Sequence, residues 1–262
     1  MNNRNKAEIA LQRTYHVVKA NEMIQKARYD LNITELKTLA FIISKIKPTD
    51  TVLQEYSFPI LEYCQVCGIE HDNGGNYKYI RKILKGLRDK SFWIVREDGA
   101  LTTVGWLQNV TVHPGSGKVT VKLDDKMQKY VLGLFENFTQ YELMSTLPMK
   151  SAYSFRMYEL LKSYAFTGEH NFEIDELKKI LAAEHYKNFK DFRRFVIEIA
   201  VKEINLYTDL EISWTTETYG RKVTNVIFYI KQRDDWGRLE AWENAERALD
   251  GQVSLFDSWG AL

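Results

Sequence analysis

The sequence predicts a chain of the α+β class in which one small helix-and-hairpin domain is used twice, in tandem. Three observations carry this. Helical and strand signals come in the order helix, helix, helix, hairpin, once before about residue 136 and once after it. Two short residue patterns recur at one fixed offset between the halves. In each half the third helix combines an apolar stripe with lysines and arginines elsewhere on its surface.

The first helical signal is Glu35 to Ile46, where Leu36, Leu39, Ala40 and Ile43 fall at i, i+3, i+4 and i+7. Asn32 and Glu35 have capping-box spacing in front of it, and Pro48 closes it. A short helix, Ile60 to Val66, stops at Gly68. A polar loop, His71 to Asn76, leads to a third helix, Tyr77 to Lys90. Two strands are expected next, Val104 to Val112 and Lys118 to Leu123, with His113-Pro114-Gly115-Ser116-Gly117 as the turn between them. Three helices followed by a hairpin make a winged helix-turn-helix.

The second half repeats the order. Ala152 to Phe166 is helical, Ile174 to Ala182 is a short helix, and Phe189 to Asn205 is a long one. Strands Leu210 to Thr215 and Val223 to Lys231 flank a turn at Tyr219-Gly220-Arg221-Lys222. Phe58-x-Ile60 is matched by Phe172-x-Ile174, and Glu70-His71 by Glu184-His185, at the same offset. The expected organisation is a flexible N-terminus (1–14), two tandem winged-helix domains (15–136 and 137–234), and an acidic tail (235–262) with a solvated helix from Leu239 to Leu249.

Bulk properties exclude several classes. With 262 residues, 45% hydrophobic and 27% charged, the chain has a globular composition. No apolar run approaches the roughly 20 residues of a membrane span. Met1 to Arg13 is polar and lacks a secretory core. Two cysteines are too few for a disulfide framework, so a reducing, cytoplasmic setting is expected. The net charge of +1 conceals an asymmetry. From Asp234 onward there are seven acids and two bases, so the tail carries −5 and residues 1–233 carry +6. A basic body suits a polyanionic partner.

The third helices carry the candidate binding residues. On the first, Ile80, Ile83, Leu84 and Leu87 share one sector, and Lys78, Arg81, Lys82, Lys85 and Arg88 lie opposite with no acid among them. Phosphate contact competes here with an ordinary solvated face, and the position of this helix in a helix-turn-helix favours DNA. On the second, Phe189, Phe192, Val196, Ile199 and Ala200 form the expected buried stripe. Lys187, Lys190 and Arg194 share another face, with Arg193 on its flank and Asp191 and Glu198 interrupting the charge. A mixed face suits base reading, because arginine donates two bonds to guanine. Arg221 and Lys222, at the hairpin tip, are expected to reach backbone or minor groove as a wing.

Three other patterns point away from chemistry. Gly115-Ser116-Gly117-Lys118 resembles a phosphate loop, but Val112 and Val119 stand where that pattern needs Gly and Ser or Thr, so it is read as a hairpin turn. Cys64-x-x-Cys67 with His71 has no second cysteine pair, and no metal is expected. The five histidines never form His-x-His, which argues against a strand-nicking nuclease or relaxase. No enzyme activity and no cofactor are expected.

Several separated motifs resemble one family in its own order. Val18-Lys19-Ala20-Asn21-Glu22-Met23-Ile24, Ala27-Arg28-Tyr29 and Leu36-Lys37 resemble the opening signature of the plasmid replication initiators of the RepB/Rep-3 superfamily. Phe138-Thr139-x-Tyr141 and Ser151-x-Tyr153 to Leu161 resemble its central signature, and Phe192-Arg193-Arg194-x-Val196 to Glu203-Ile204-Asn205 its second recognition helix. The likeness runs from about Val17 to Lys231. It implies an iteron-binding initiator that reads direct repeats at an origin mostly as a monomer, helps open the duplex, and represses its own promoter as a homodimer joined through the first domain. It places Lys187, Lys190, Arg193 and Arg194 on the main reading helix, gives Arg156 a structural role near Glu159, and leaves helicase and polymerase to the host. A double winged-helix transcriptional repressor is the alternative. Gln252-Val253-Ser254-Leu255-Phe256 resembles the motif by which bacterial replication proteins dock on the sliding clamp, with Gln252, Leu255 and Phe256 as its contacts. Packing of Leu255 and Phe256 onto the body is the competing reading.

Overall fold

The computed structural model describes residues 3–69, 75–96, 98–113 and 115–250. In chain order its elements are α1 (Asn3–Arg13), β1 (His16–Ala20), α2 (Asn21–Lys26), β2 (Ala27–Arg28), α3 (Ile33–Ile43), β3 (Glu55–Pro59), α4 (Ile60–Val66), α5 (Gly75–Asp89), β4 (Ser91–Val95), β5 (Leu101–Gly105), β6 (Leu107–His113) and β7 (Lys118–Leu123). There follow α6 (Gln128–Val131), β8 (Phe138–Glu142), α7 (Ala152–Ser163), β9 (Glu169–Glu173), α8 (Ile174–Leu181), α9 (Phe189–Phe192), a π-helical turn (Arg193–Ile197), α10 (Glu198–Tyr207), β10 (Leu210–Tyr219), β11 (Lys222–Gln232) and α11 (Asp235–Asp250).

Two winged helices are present, and their sheets have one topology. The first sheet runs β3–β7–β6 and the second β9–β11–β10, so in each the strand before the second helix pairs with the last strand of the hairpin. In the first unit α3, α4 and α5 are the three helices; in the second they are α7, α8 and the run from α9 to α10. The capping box is present. Asn32 Oδ1 accepts from the backbone N–H groups of Thr34 and Glu35 at 3.0 Å, and Glu35 Oε2 accepts from Asn32 N at 2.9 Å. The core of this unit is aromatic. Trp106 is fully buried, its ring 4.3 Å from Phe92 and 4.8 Å from Tyr29, while Phe41 meets Phe58 and Tyr63 edge-on.

Four expectations change. The expected strand Val104 to Val112 is two strands in two sheets, parted at Trp106, and β4 precedes them unforeseen. The β4–β5 hairpin is an insertion between the third helix and the wing, and β4 pairs it with β2, which precedes α3, in a β2–β4–β5 sheet. Its signal is hidden because Phe92 and Ile94 point inward and Trp93 and Val95 outward, so an alternating strand reads as one apolar run. Residues 3–13 of the expected flexible N-terminus form α1, pinned to α4 where buried Arg13 donates through Nε to the Val66 carbonyl at 3.0 Å. The helix expected to be solvated, α11, buries Ala241, Ala245 and Leu249 and packs on α10. Finally, Ile199 lies outside the core while Ile197 and Ile204 lie within it. The π turn explains this: one extra residue in a turn rotates all that follows by about 100°.

The division expected at residue 137 falls just before β8, and β8 pairs residue for residue with β1, from His16↔Glu142 to Ala20↔Phe138. Across this ladder the halves are tied by charge. Lys19 Nζ lies 2.5 Å from Glu159 Oε1 on α7, the two side chains 1% and 2% exposed, and the Tyr141 hydroxyl donates to the same oxygen at 2.5 Å. Arg156, one helical turn back, donates to the carbonyls of Tyr29 at 2.7 Å and Ala27 at 3.3 Å, and its guanidinium lies over the Tyr29 ring. A second tie runs through α11, whose Leu249 packs against Gly68 at the end of α4. Gly68 has φ +69°, and a Cβ there would come within 2.9 Å of Leu249 Cδ2.

Candidate nucleic-acid interface

The first candidate face is built by α5. Ile80, Ile83, Leu84 and Leu87 are buried, fixing the helix against α3 and β6. That orientation leaves Lys78, Arg81, Lys82, Lys85 and Arg88 exposed. Lys85 pairs with Asp89 one turn on, an acid that the sequence reading left off this face. Lys90, at the base of the helix, reaches Glu35 Oε2 at 2.7 Å and so joins the end of α5 to the capping box of α3.

The second face is built by α8, α9 and the wing. Asn188 Oδ1 accepts from Asp191 N at 2.8 Å, capping α9. Lys190, Arg193 and Arg194 are exposed along α9 and the π turn. Arg193 Nε lies 3.2 Å from Glu198 Oε1, both half exposed, so this pair is weak and breaks readily for another partner. Arg194 lies 5.2 Å over the Phe195 ring, which stacks on Tyr186 at 6.1 Å. The aromatic shelf restricts the guanidinium without consuming its donors.

One cleft gathers part of the predicted set. Lys187 at the start of the recognition helix and Arg221 and Lys222 at the wing line a cavity of ≈530 Å³, together with Lys178, Asn188, Glu173 and Asp175. Four cations against two carboxylates favour an anion. Lys178 was not foreseen. It sits on the buried side of α8, its ammonium 5.4 Å from the Phe192 ring centroid. Asn188 carried a readable signal, an Asn followed by Asp three residues on before an apolar repeat.

Other patterns resolve as structure. Gly115 and Gly117, with φ +78° and +63°, turn the chain between β6 and β7. Cys64 and Cys67 are free and buried, and burial pushes both thiols up to about 12, away from the thiolate a metal requires. Glu70, His71, Pro114, Gln252, Leu255 and Phe256 lie outside the described residues. Among the described residues, no helix is long and apolar enough to cross a membrane.

Two family models match in tandem. Residues 16–162 match the model described as "Initiator Replication protein, WH1", and residues 173–230 the model described as "Initiator Rep protein, WH2". The structure resembles that described as "Crystal structure of Pi initiator protein in complex with iteron DNA", with a TM-score of 0.70 and 17% identity over 85% of this chain and 99% of that one. At that identity the likeness is one of fold.

Proposed function

Because this chain belongs to the plasmid replication initiators with paired winged-helix domains, we propose that it binds direct repeats at its origin with both heads and uses that binding to help open the duplex. The observation that carries the reading is the repeated sheet topology, which aims the third helix of each unit outward with its cations exposed. The α9–α10 run reads bases through Arg193 and Arg194, while Lys187, Lys190, Arg221 and Lys222 hold flanking phosphates. Lys78, Arg81, Lys82 and Lys85 of α5 grip a second stretch of backbone. Bending of adjacent repeats stores elastic energy for melting. The chain contributes binding and no bond-breaking chemistry; helicase, polymerase and sliding clamp come from the host, in its cytoplasm, and Gln252, Leu255 and Phe256 are the clamp contacts.

A homodimer in equilibrium with the monomer serves autorepression. It is supported by the β2–β4–β5 sheet, where β5 is an edge strand and Trp93, Val95 and Leu101 are exposed on one face. The test is binding of the full chain to a repeat-bearing origin duplex as salt is raised. A steep linear fall of log affinity with log salt is expected, with a specific excess that Arg193→Ala plus Arg194→Ala removes. Specific binding that survives the double substitution overturns the assignment of the reading helix.

A further inference from the structure

We propose that Tyr219, at the tip of the second wing, is a DNA-contacting residue that lays its ring into the minor groove beside the base pairs read by the recognition helix. The proposal rests on the reading that the α9–α10 run is the second reading helix.

The two hairpins differ in how far they leave their sheets. In the first, β3 pairs with β7 as far as Pro59↔Lys118, and Lys118 is also the tip partner of His113. A third strand therefore runs alongside to the tip. In the second, β9 covers β11 only from Asn225 to Tyr229, while β10 and β11 continue to Tyr219↔Lys222. The second wing thus projects as a two-stranded ribbon, re-aimed by a bulge between Glu217 and Thr218. Gly220 has φ +62° and Arg221 does not share a positive φ, the pattern of a tight two-residue turn with glycine first.

The Tyr219 side chain is 85% exposed and makes no hydrogen bond, ion pair or ring contact among the described residues, its backbone alone being paired, with Lys222. Neither packing nor turn geometry asks for an aromatic there. Its cross-strand partner is Lys222, and directly opposed residues share one face of a ribbon. Ring and ammonium therefore advance together, with Arg221 in the turn between them. Lys222 and Arg221 also line the cleft with Lys187 at the start of the recognition helix, so a phosphate seated there fixes the distance between helix and tip. An apolar ring in the minor groove opens a base step, which is cheapest at flexible pyrimidine–purine steps. Tyr219 thereby adds sequence preference at base pairs flanking those touched by Arg193 and Arg194.

The experiment is selection of duplexes from a library with a randomised core, using the full chain and its Tyr219→Ala and Tyr219→Phe forms. Tyr219→Ala is expected to select the same central bases, lose the flanking preference, and bind the duplex selected by the unaltered chain about tenfold more weakly. Tyr219→Phe, which keeps the ring, is expected to match the unaltered chain. Tyr219→Ala that keeps the flanking preference with affinity within about twofold overturns the proposal, as does Tyr219→Phe that fails as badly as Tyr219→Ala. Loss of the central bases in Arg193→Ala plus Arg194→Ala is read separately; if those bases persist, it is the reading-helix assignment that fails.

Discussion

The two winged helices share a topology and differ in how they present charge. In the first head α5 carries five exposed cations, and its wing is held against β3 to the tip. In the second the cations are spaced by Asp191 and Glu198, Arg194 rests on an aromatic shelf, a π turn sits in the middle of the helix, and the wing projects beyond its sheet. A dense row of lysines and arginines, with no aromatic shelf beneath it among the described residues, senses charge density and little else. Fewer, restrained arginines discriminate between base edges, because a bidentate donor needs a fixed approach. One fold thus serves as clamp and as reader, with the distinction made by side-chain restraint rather than architecture.

The largest expected effect tests whether the heads are separable at all. Glu159→Gln leaves Lys19 buried without its carboxylate and should lower unfolding free energy by about 3–5 kcal/mol, with both heads melting in one transition. Two separated calorimetric transitions would show that the comparison concerns two independent domains. Next comes the π turn. Ile197→Ala should cost roughly 2–5 kcal/mol and the more exposed Ile199→Ala less than about 1 kcal/mol, measured by denaturant unfolding. The reverse order would restore a regular helix and remove that difference between the heads. Arg193→Ala with Arg194→Ala should weaken binding to repeat DNA by about 2–4 kcal/mol and to unrelated duplex far less, in anisotropy titrations. Smallest is the effect of Lys78→Ala, Arg81→Ala and Lys82→Ala together. These should weaken all duplexes about equally and flatten the log–log salt slope by about 2–3. A sequence-dependent loss there would make α5 a reader as well.

What the sequence revealed and what it hid have physical causes. The capping box at Asn32 and Glu35 and the bounds of α4 are set by neighbours within four residues, so local pattern suffices. The basic face of α5 was readable because its apolar residues keep helical spacing throughout. On the second recognition helix the same projection misplaced Ile199, since a π turn has no local signature and displaces every later residue. The inserted hairpin was missed because Phe92, Trp93, Ile94 and Val95 are apolar on both faces. The role of α11 was missed because Ala241 and Ala245 are small, and what they pack on is distant in sequence. In sequence Tyr219 is only part of a turn, because exposure at a ribbon tip depends on where the third strand stops.

The contact between Gly68 and Leu249 also has a history in time. A chain is made from its N-terminus, so α4 leaves the ribosome long before α11 exists. Residue 68 lies inside the first winged helix and residue 249 beyond the second, and joining them closes a long loop whose entropy must be met last. The first head therefore matures late: the turn ending α4 gains its Leu249 neighbour only as α11 is released. A nascent initiator that stalls before α11 has both wings but lacks the strap over Gly68.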